Sequence, residues 1–193
     1  MMLAKQGVAP KNTHWAIDQD GWCAGATQLP SPNYGVRPAA SEISLIVLHN
    51  ISLPAGQFGG GYIQDLFLNR LNCDLHPSFN DLRELKVSAH FLILRDGSLL
   101  QCVSTLARAW HAGVSAFEGR SGCNDFSIGI ELEGSDEIAF EAQQYQTLAA
   151  LCRALLQRFA IQHIVGHNEI APGRKTDPGP CFDWQHLQTL LQD

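Results

Sequence analysis

The stretch "SEISLIVLHN" constrains the fold more than any other part of the chain. Residues 43 to 48 form a nearly unbroken aliphatic run, and a short run without polar alternation marks a β-strand covered on both faces. Such a strand lies centrally in a sheet, with His49 at its end. The rest of the chain must then provide a layer for each face.

A second strand is written differently. "FSIGIELEG" alternates, with Phe126, Ile128, Ile130 and Leu132 on one face and Ser127, Gly129, Glu131 and Glu133 on the other. Both glutamates therefore share a face, with Glu133 towards the rim. "VSAHFLILRDGSLLQCVS" has two β-rich runs around an Asp-Gly, the signature of a hairpin, and puts His90 on its first strand. "IQHIV" is a further short strand.

Three segments have helical spacing. After a glycine run, Ile63, Leu66, Phe67 and Leu71 line one face; Tyr145, Leu148, Cys152, Leu155 and Phe159 line another; and Asp183 caps a terminal helix burying Trp184, Leu187 and Leu191. The segment containing "LHPSFND" reads as a long loop. Intermixed strands and helices with one hairpin predict an α/β fold, a single domain with a central mixed β-sheet flanked by helices. Nothing repeats and no low-complexity linker divides the chain, so residues 1–20 read as an N-terminal extension and 21–193 as the domain.

Composition excludes several functions. At 45% hydrophobic and 17% charged the chain can bury one full core, and its net charge of -6 without clustered Lys or Arg argues against a nucleic-acid partner. No signal-peptide run and no stretch of about 18 apolar residues appears, which predicts a cytoplasmic protein with no membrane partner. The six cysteines form no C-x-x-C pair and read as reduced, packed thiols.

Chemistry concentrates in "GHNEIAPGRKTDPG", a Gly/Pro-punctuated loop carrying His167, Lys175 and Asp177. If the segment is locally straight, Lys175 and Asp177 project to the same side; taken alone, the pair could be a surface ion pair contributing roughly 0 to 1 kcal/mol. His163 and His167 are four apart, but the β-prone "IVG" between them rejects a helical zinc motif and makes His163 a partly exposed structural residue. His49 supplies a second imidazole at a rigid strand end. Two histidines and a carboxylate are a zinc set that leaves a fourth position open. His90, His111, Glu131 and Glu133 compete as ligands.

Taken together, "VLHNISLPAGQFGGGYI", "VSAHFLI" with "RDG", "AWHAGVS", "CNDFSIGIELEG" and "GHNEIAPGRKTDPGP" before "FDW" resemble the zinc N-acetylmuramoyl-L-alanine amidases of the amidase_2 class. The resemblance runs from about Trp22 to Trp184. It implies an amidase_2 or peptidoglycan-recognition-protein-like fold, with residues 21–193 as a zinc amidase domain. One Zn²⁺ would be held by His49, His167 and Asp177. Glu131 would be the catalytic acid and base, and Lys175 would face the scissile carbonyl. Asn50, His90, Trp110 and His111 would line the substrate pocket, His90 as a wall or supporting residue, and Lys86 or Arg120 would meet the stem-peptide carboxylates.

The implied reaction is hydrolysis of the amide between the lactyl group of 1,6-anhydro-N-acetylmuramic acid and L-alanine, on soluble anhydromuropeptides in cell-wall recycling. No obligate protein partner is implied. Two competing readings are an amidase acting on intact peptidoglycan and a non-catalytic peptidoglycan-recognition module.

Overall fold

The computed structural model describes residues 15–192. Its centre is a six-stranded sheet of β1 (Thr27–Gln28), β2 (Leu45–Ile51), β3 (Phe91–Ile93), β4 (Leu99–Gln101), β5 (Ser127–Glu133) and β6 (His163–Gly166), in the spatial order β6-β2-β5-β3-β4-β1. Strand β2 is parallel to both β5 and β6, and β5 is parallel to β3. The β3–β4 hairpin is antiparallel, with Leu92 opposite Leu100, and β1 then adds in parallel. The sheet is thus mixed, as expected, and the aliphatic run of β2 lies inside it between β5 and β6.

Alternation along β2 and β5 divides two cores. Ile46, Leu48, Ile128, Ile130 and Leu132 pack beneath α2 (Ala142–Arg158) and α4 (Trp184–Gln192). On the opposite face Leu45, Val47, Cys123, Phe126 and Val165 form a separate cluster; Phe126, expected on the Ile128 face, lies one residue before β5 and packs on this side instead. A third cluster surrounds α1 (Tyr62–Phe67), with Ile63 and Phe67 against Leu92 and Leu100. Asp183 accepts from the His186 amide at 2.8 Å and caps α4, as its sequence predicts.

Several expectations need correction. Leu71 is not on α1, because the helix ends at Phe67 and Asn69 turns into positive φ (57°); the side chain still reaches the α1 cluster. The long loop holds two 3₁₀ turns, Cys73–Leu75 and Pro77–Leu82, which bury Phe79 completely. His90 lies one residue before β3 but continues its ladder, its amide donating to the Gly129 carbonyl at 3.0 Å. Of residues 1–20, positions 1–14 lie outside the described residues; Ala16–Ile17 pairs with Cys23–Ala24, and Trp15 and Ile17 pack on the main core.

Gly129 is the close approach that shapes the site face of β5. A Cβ there would stand 2.4 Å from His111 Cγ, inside contact distance of a ring rather than of a flexible tip. Gly129→Ala is therefore expected to lower stability by about 1–3 kcal/mol, the usual cost of overpacking. Thermal unfolding checks this, at roughly 2–4 °C per kcal/mol for a chain of this size; an unchanged melting temperature would mean the His111 ring yields freely.

Candidate metal centre and active site

The register of the sheet builds the site's first pair. His49 of β2 is the direct neighbour of Glu131 on β5, and parallel neighbours in register project to the same face. Strand β6 delivers the third residue. Gly166 ends it beside Leu48, and His167 opens a single helical turn, α3 (His167–Ile170). This corrects the reading of the segment as irregular throughout: Glu169 turns back to accept from the Gly166 amide at 2.8 Å and closes the turn. The chain then returns, and the Asn168 amide donates to the Asp177 carbonyl at 3.0 Å.

That hairpin-like return makes three ligand atoms converge. His49 Nδ1 lies 3.0 Å from His167 Nδ1 and 2.9 Å from Asp177 Oδ2, and His167 Nδ1 lies 3.0 Å from the same oxygen. Both far nitrogens are already engaged: His167 Nε2 with the Ala112 carbonyl at 3.1 Å, His49 Nε2 with His111 Nδ1 at 2.9 Å. Two imidazole nitrogens and an anionic oxygen aimed at one point are the donor set of a divalent cation, and the three residues form a group that could hold a metal ion. Of the competing ligands, His90, His111, Glu131 and Glu133 lie outside this group.

Electrostatics agree with ligation. Burial pushes the His49 imidazole down to about 4, against the pull of the Asp177 carboxylate, so it is neutral and has a lone pair to give at neutral pH. Burial alone would raise the Asp177 carboxyl, but the His167 and His49 rings set against it outweigh that and hold it well below the usual carboxylate range. Glu131 is the opposite case. Burial drives its carboxyl well above the usual range, Asp177 pushes the same way, and Lys175 opposes both. One of its oxygens, Oε2, is buried without a hydrogen-bond partner.

The remaining expected residues fall in different places. Asn50 donates to Asp136 Oδ1 at 2.7 Å and to the Pro178 carbonyl at 3.0 Å, tying the end of β2 to the Asp177 loop. His90 is fully buried, accepting from the Gly129 amide at Nδ1 and facing the Ala107 carbonyl at Nε2. Trp110 is half-buried, its Nε1 beside Gly35. Lys86 lines a surface cavity of about 200 Å³ with Leu66, Leu82 and Arg83, and Arg120 lies over the Phe126 ring at 3.9 Å. Lys175 is exposed on the ligand loop. Glu133 is buried and not at a rim: it accepts from the amides of Gly59 and Arg95, tethering the glycine-rich loop before α1.

Sequence reasoning missed the supports. Asn124 Oδ1 accepts from the amides of both His111 and Ala112, and Arg174 donates to the Ala112 carbonyl at 2.8 Å. Arg37 donates to the carbonyls of Asn124, Asp125, Thr105 and Ser127, far along the chain. Nothing in "GVRPAA" signals that role, whereas Ser127 was already on the Glu131 face of the alternating strand.

A mixed sheet that gathers two histidines and a carboxylate able to hold a metal ion, beside a carboxyl with a buried oxygen, is an arrangement suited to hydrolysis. The chain belongs to the N-acetylmuramoyl-L-alanine amidase family, Amidase_2, whose family model matches residues 39–180. It is 51% identical over 175 residues to the 1,6-anhydro-N-acetylmuramyl-L-alanine amidase AmpD of Escherichia coli K12, covering 90% of this chain and 96% of that protein. A crystal structure of a selenomethionine AmpD derivative superposes with a TM-score of 0.87 at 52% identity, covering 90% of this chain and 98% of the other. The E. coli amidase AmiD, solved with anhydro-N-acetylmuramic acid-L-Ala-D-gamma-Glu-L-Lys as substrate, matches with a TM-score of 0.57 at 30% identity, over 80% of this chain and 60% of that one.

The Glu131 environment makes a stability prediction for metal-free protein. A carboxyl whose folded pKa is raised contributes stability that is complete below its ordinary pKa of 4.5 and is lost as pH rises through the folded value. Glu131→Gln removes that loss. In chelator the variant should be more stable than wild type at pH 8, by about 1–3 kcal/mol, and equal to it at pH 4. Calorimetry at the two pH values checks this; no gain at pH 8 would contradict an unpaired buried carboxylate.

Proposed function

We propose that this protein hydrolyses the amide between the lactyl group of 1,6-anhydro-N-acetylmuramic acid and L-alanine in soluble muropeptides, using one Zn²⁺ held by His49, His167 and Asp177. The observation that carries the reading is the convergence of His49 Nδ1, His167 Nδ1 and Asp177 Oδ2 next to the partnerless Oε2 of Glu131. Similarity to AmpD over nine-tenths of the chain supports the anhydromuropeptide as substrate. The proposed setting is cytoplasmic cell-wall recycling, in which removal of an anhydromuropeptide signal also restrains β-lactamase induction.

Zn²⁺ in this donor set supplies Lewis acidity and a nucleophile at neutral pH. Glu131 does the proton work. Its open oxygen can take the proton of the attacking water, and its raised affinity for protons then suits it to deliver that proton to the departing L-alanine nitrogen. Water thus adds OH to the lactyl carbon and H to the nitrogen, and the C–N bond breaks. The Lys175 ammonium offers a positive charge to the oxygen of the tetrahedral intermediate; its field already reaches Glu131 and His49.

His49→Ala should lose both zinc and turnover, whereas Lys175→Ala should keep zinc and lose turnover on the order of 10²–10³-fold, the range for a removed oxyanion stabiliser. Metal analysis beside mass-spectrometric detection of the released peptide, with and without chelator, separates these outcomes. Full activity of His49→Ala would refute the ligand set. Supplying soluble anhydromuropeptide and intact sacculi in parallel tests the substrate, since preferential release from sacculi would make the protein a wall amidase.

A further inference from the structure

His111 stands behind the metal centre, and hydrogen-bond bookkeeping around it has one solution. Its Nε2 lies 3.1 Å from Ser127 Oγ, and its Nδ1 lies 2.9 Å from His49 Nε2. The Ser127 hydroxyl has a single proton, which it donates to the Cys123 carbonyl at 2.6 Å. Towards His111 that oxygen can only accept, so His111 carries its proton on Nε2. A neutral imidazole protonated there has a bare Nδ1, which can only accept in turn. His49 must therefore donate from Nε2, and its Nδ1, facing His167 and Asp177, is the lone-pair nitrogen.

We propose that Ser127 and His111 form a tautomer-setting relay that holds His49 as the Nε2–H form and thereby presents Nδ1 to the metal. Both are positioning residues, and neither touches the reacting atoms. The relay rests on the metal-centre reading given above. On the other ligand the same task falls to a backbone group: His167 Nε2 donates to the Ala112 carbonyl, which has a fixed polarity. The dipeptide 111–112 therefore orients both histidine ligands, and its two amides are pinned together on Asn124 Oδ1.

The surroundings are built for this ring. Gly129 leaves room that any Cβ would fill, 2.4 Å from His111 Cγ, and Ser127 and Gly129 are successive site-face positions of β5. The ring meets His49 edge-on, with centroids 5.1 Å apart, and its hydrogen-bond partners include no carboxylate that would draw a second proton onto it. The face of β5 that carries Glu131 thus also carries the start of the relay.

Two measurements test the inference. In ¹⁵N spectra of histidine-labelled, metal-free wild type, His49 should appear as the Nε2–H tautomer and His111 likewise; finding His49 protonated at Nδ1 overturns the relay whether or not the protein binds zinc. In competition with a chelating zinc dye, His111→Phe, which removes the acceptor, should bind zinc about 10–100-fold more weakly. His111→Gln, whose amide oxygen can accept from His49, should recover most of that loss. Ser127→Ala should weaken zinc in the same direction and Ser127→Thr restore it. Wild-type zinc affinity in folded His111→Phe and Ser127→Ala would refute the proposal, and a wild type that binds no zinc would instead refute the metal-centre reading.

Discussion

The site depends on one pairing: β2 and β5 lie parallel and in register, so that His49 and Glu131 are direct neighbours on one face. A slip of β5 by one residue against β2 would turn Glu131 into the core under α2 and α4 and bring Ile130 to the face that carries His49. The register is held because the opposite face is apolar along the centre of both strands. Ile46, Leu48, Ile128, Ile130 and Leu132 are completely buried, and exposing them would cost far more than the polar face could return. Hydrophobic burial on one side of the sheet thus fixes the chemistry on the other.

On that frame the chain holds groups that would not choose to be together. Two imidazole lone pairs and a carboxylate oxygen stand about 3 Å apart, and a carboxyl oxygen of Glu131 is buried with nothing to accept from. Each is a local loss of stability kept by surrounding packing, as expected where a site is pre-formed for a ligand or reaction. The supports are polar and long-range: Asn124 on the 111–112 amides, Arg174 on the Ala112 carbonyl, and Asn50 between Asp136 and the Pro178 carbonyl. The His167 turn and the Asp177 loop carry half of the centre, and the side chains of Asn50, Asn124 and Arg174 fasten them and the 111–112 segment in place.

Much of this was legible in the sequence, for physical reasons that differ by element. The aliphatic run before His49 and the alternation around Glu131 are period signals, and they gave the central strands and the faces of Ser127, Gly129, Glu131 and Glu133 correctly. The convergence of His49, His167 and Asp177 came from motif resemblance, since periodicity cannot join residues 118 or 128 positions apart. Two features had no local signal. The helical turn at His167 depends on Glu169 folding back to Gly166, and the burial of Glu133 depends on the amides of Gly59 and Arg95, donors supplied by distant segments. The loop motif around His111 implies a place near the substrate pocket and says nothing about which atoms its ring nitrogens meet.

The central claim is that this fold gathers one cation onto two Nδ1 atoms and a carboxylate beside Glu131. The most direct measurement is anomalous diffraction at the zinc edge from crystals of the zinc-loaded protein. The account predicts one peak per chain, bounded by His49 Nδ1, His167 Nδ1 and Asp177 Oδ2. A chain that shows no peak there, or one whose zinc lies on cysteine thiols or on His111 and His90 instead, would contradict it.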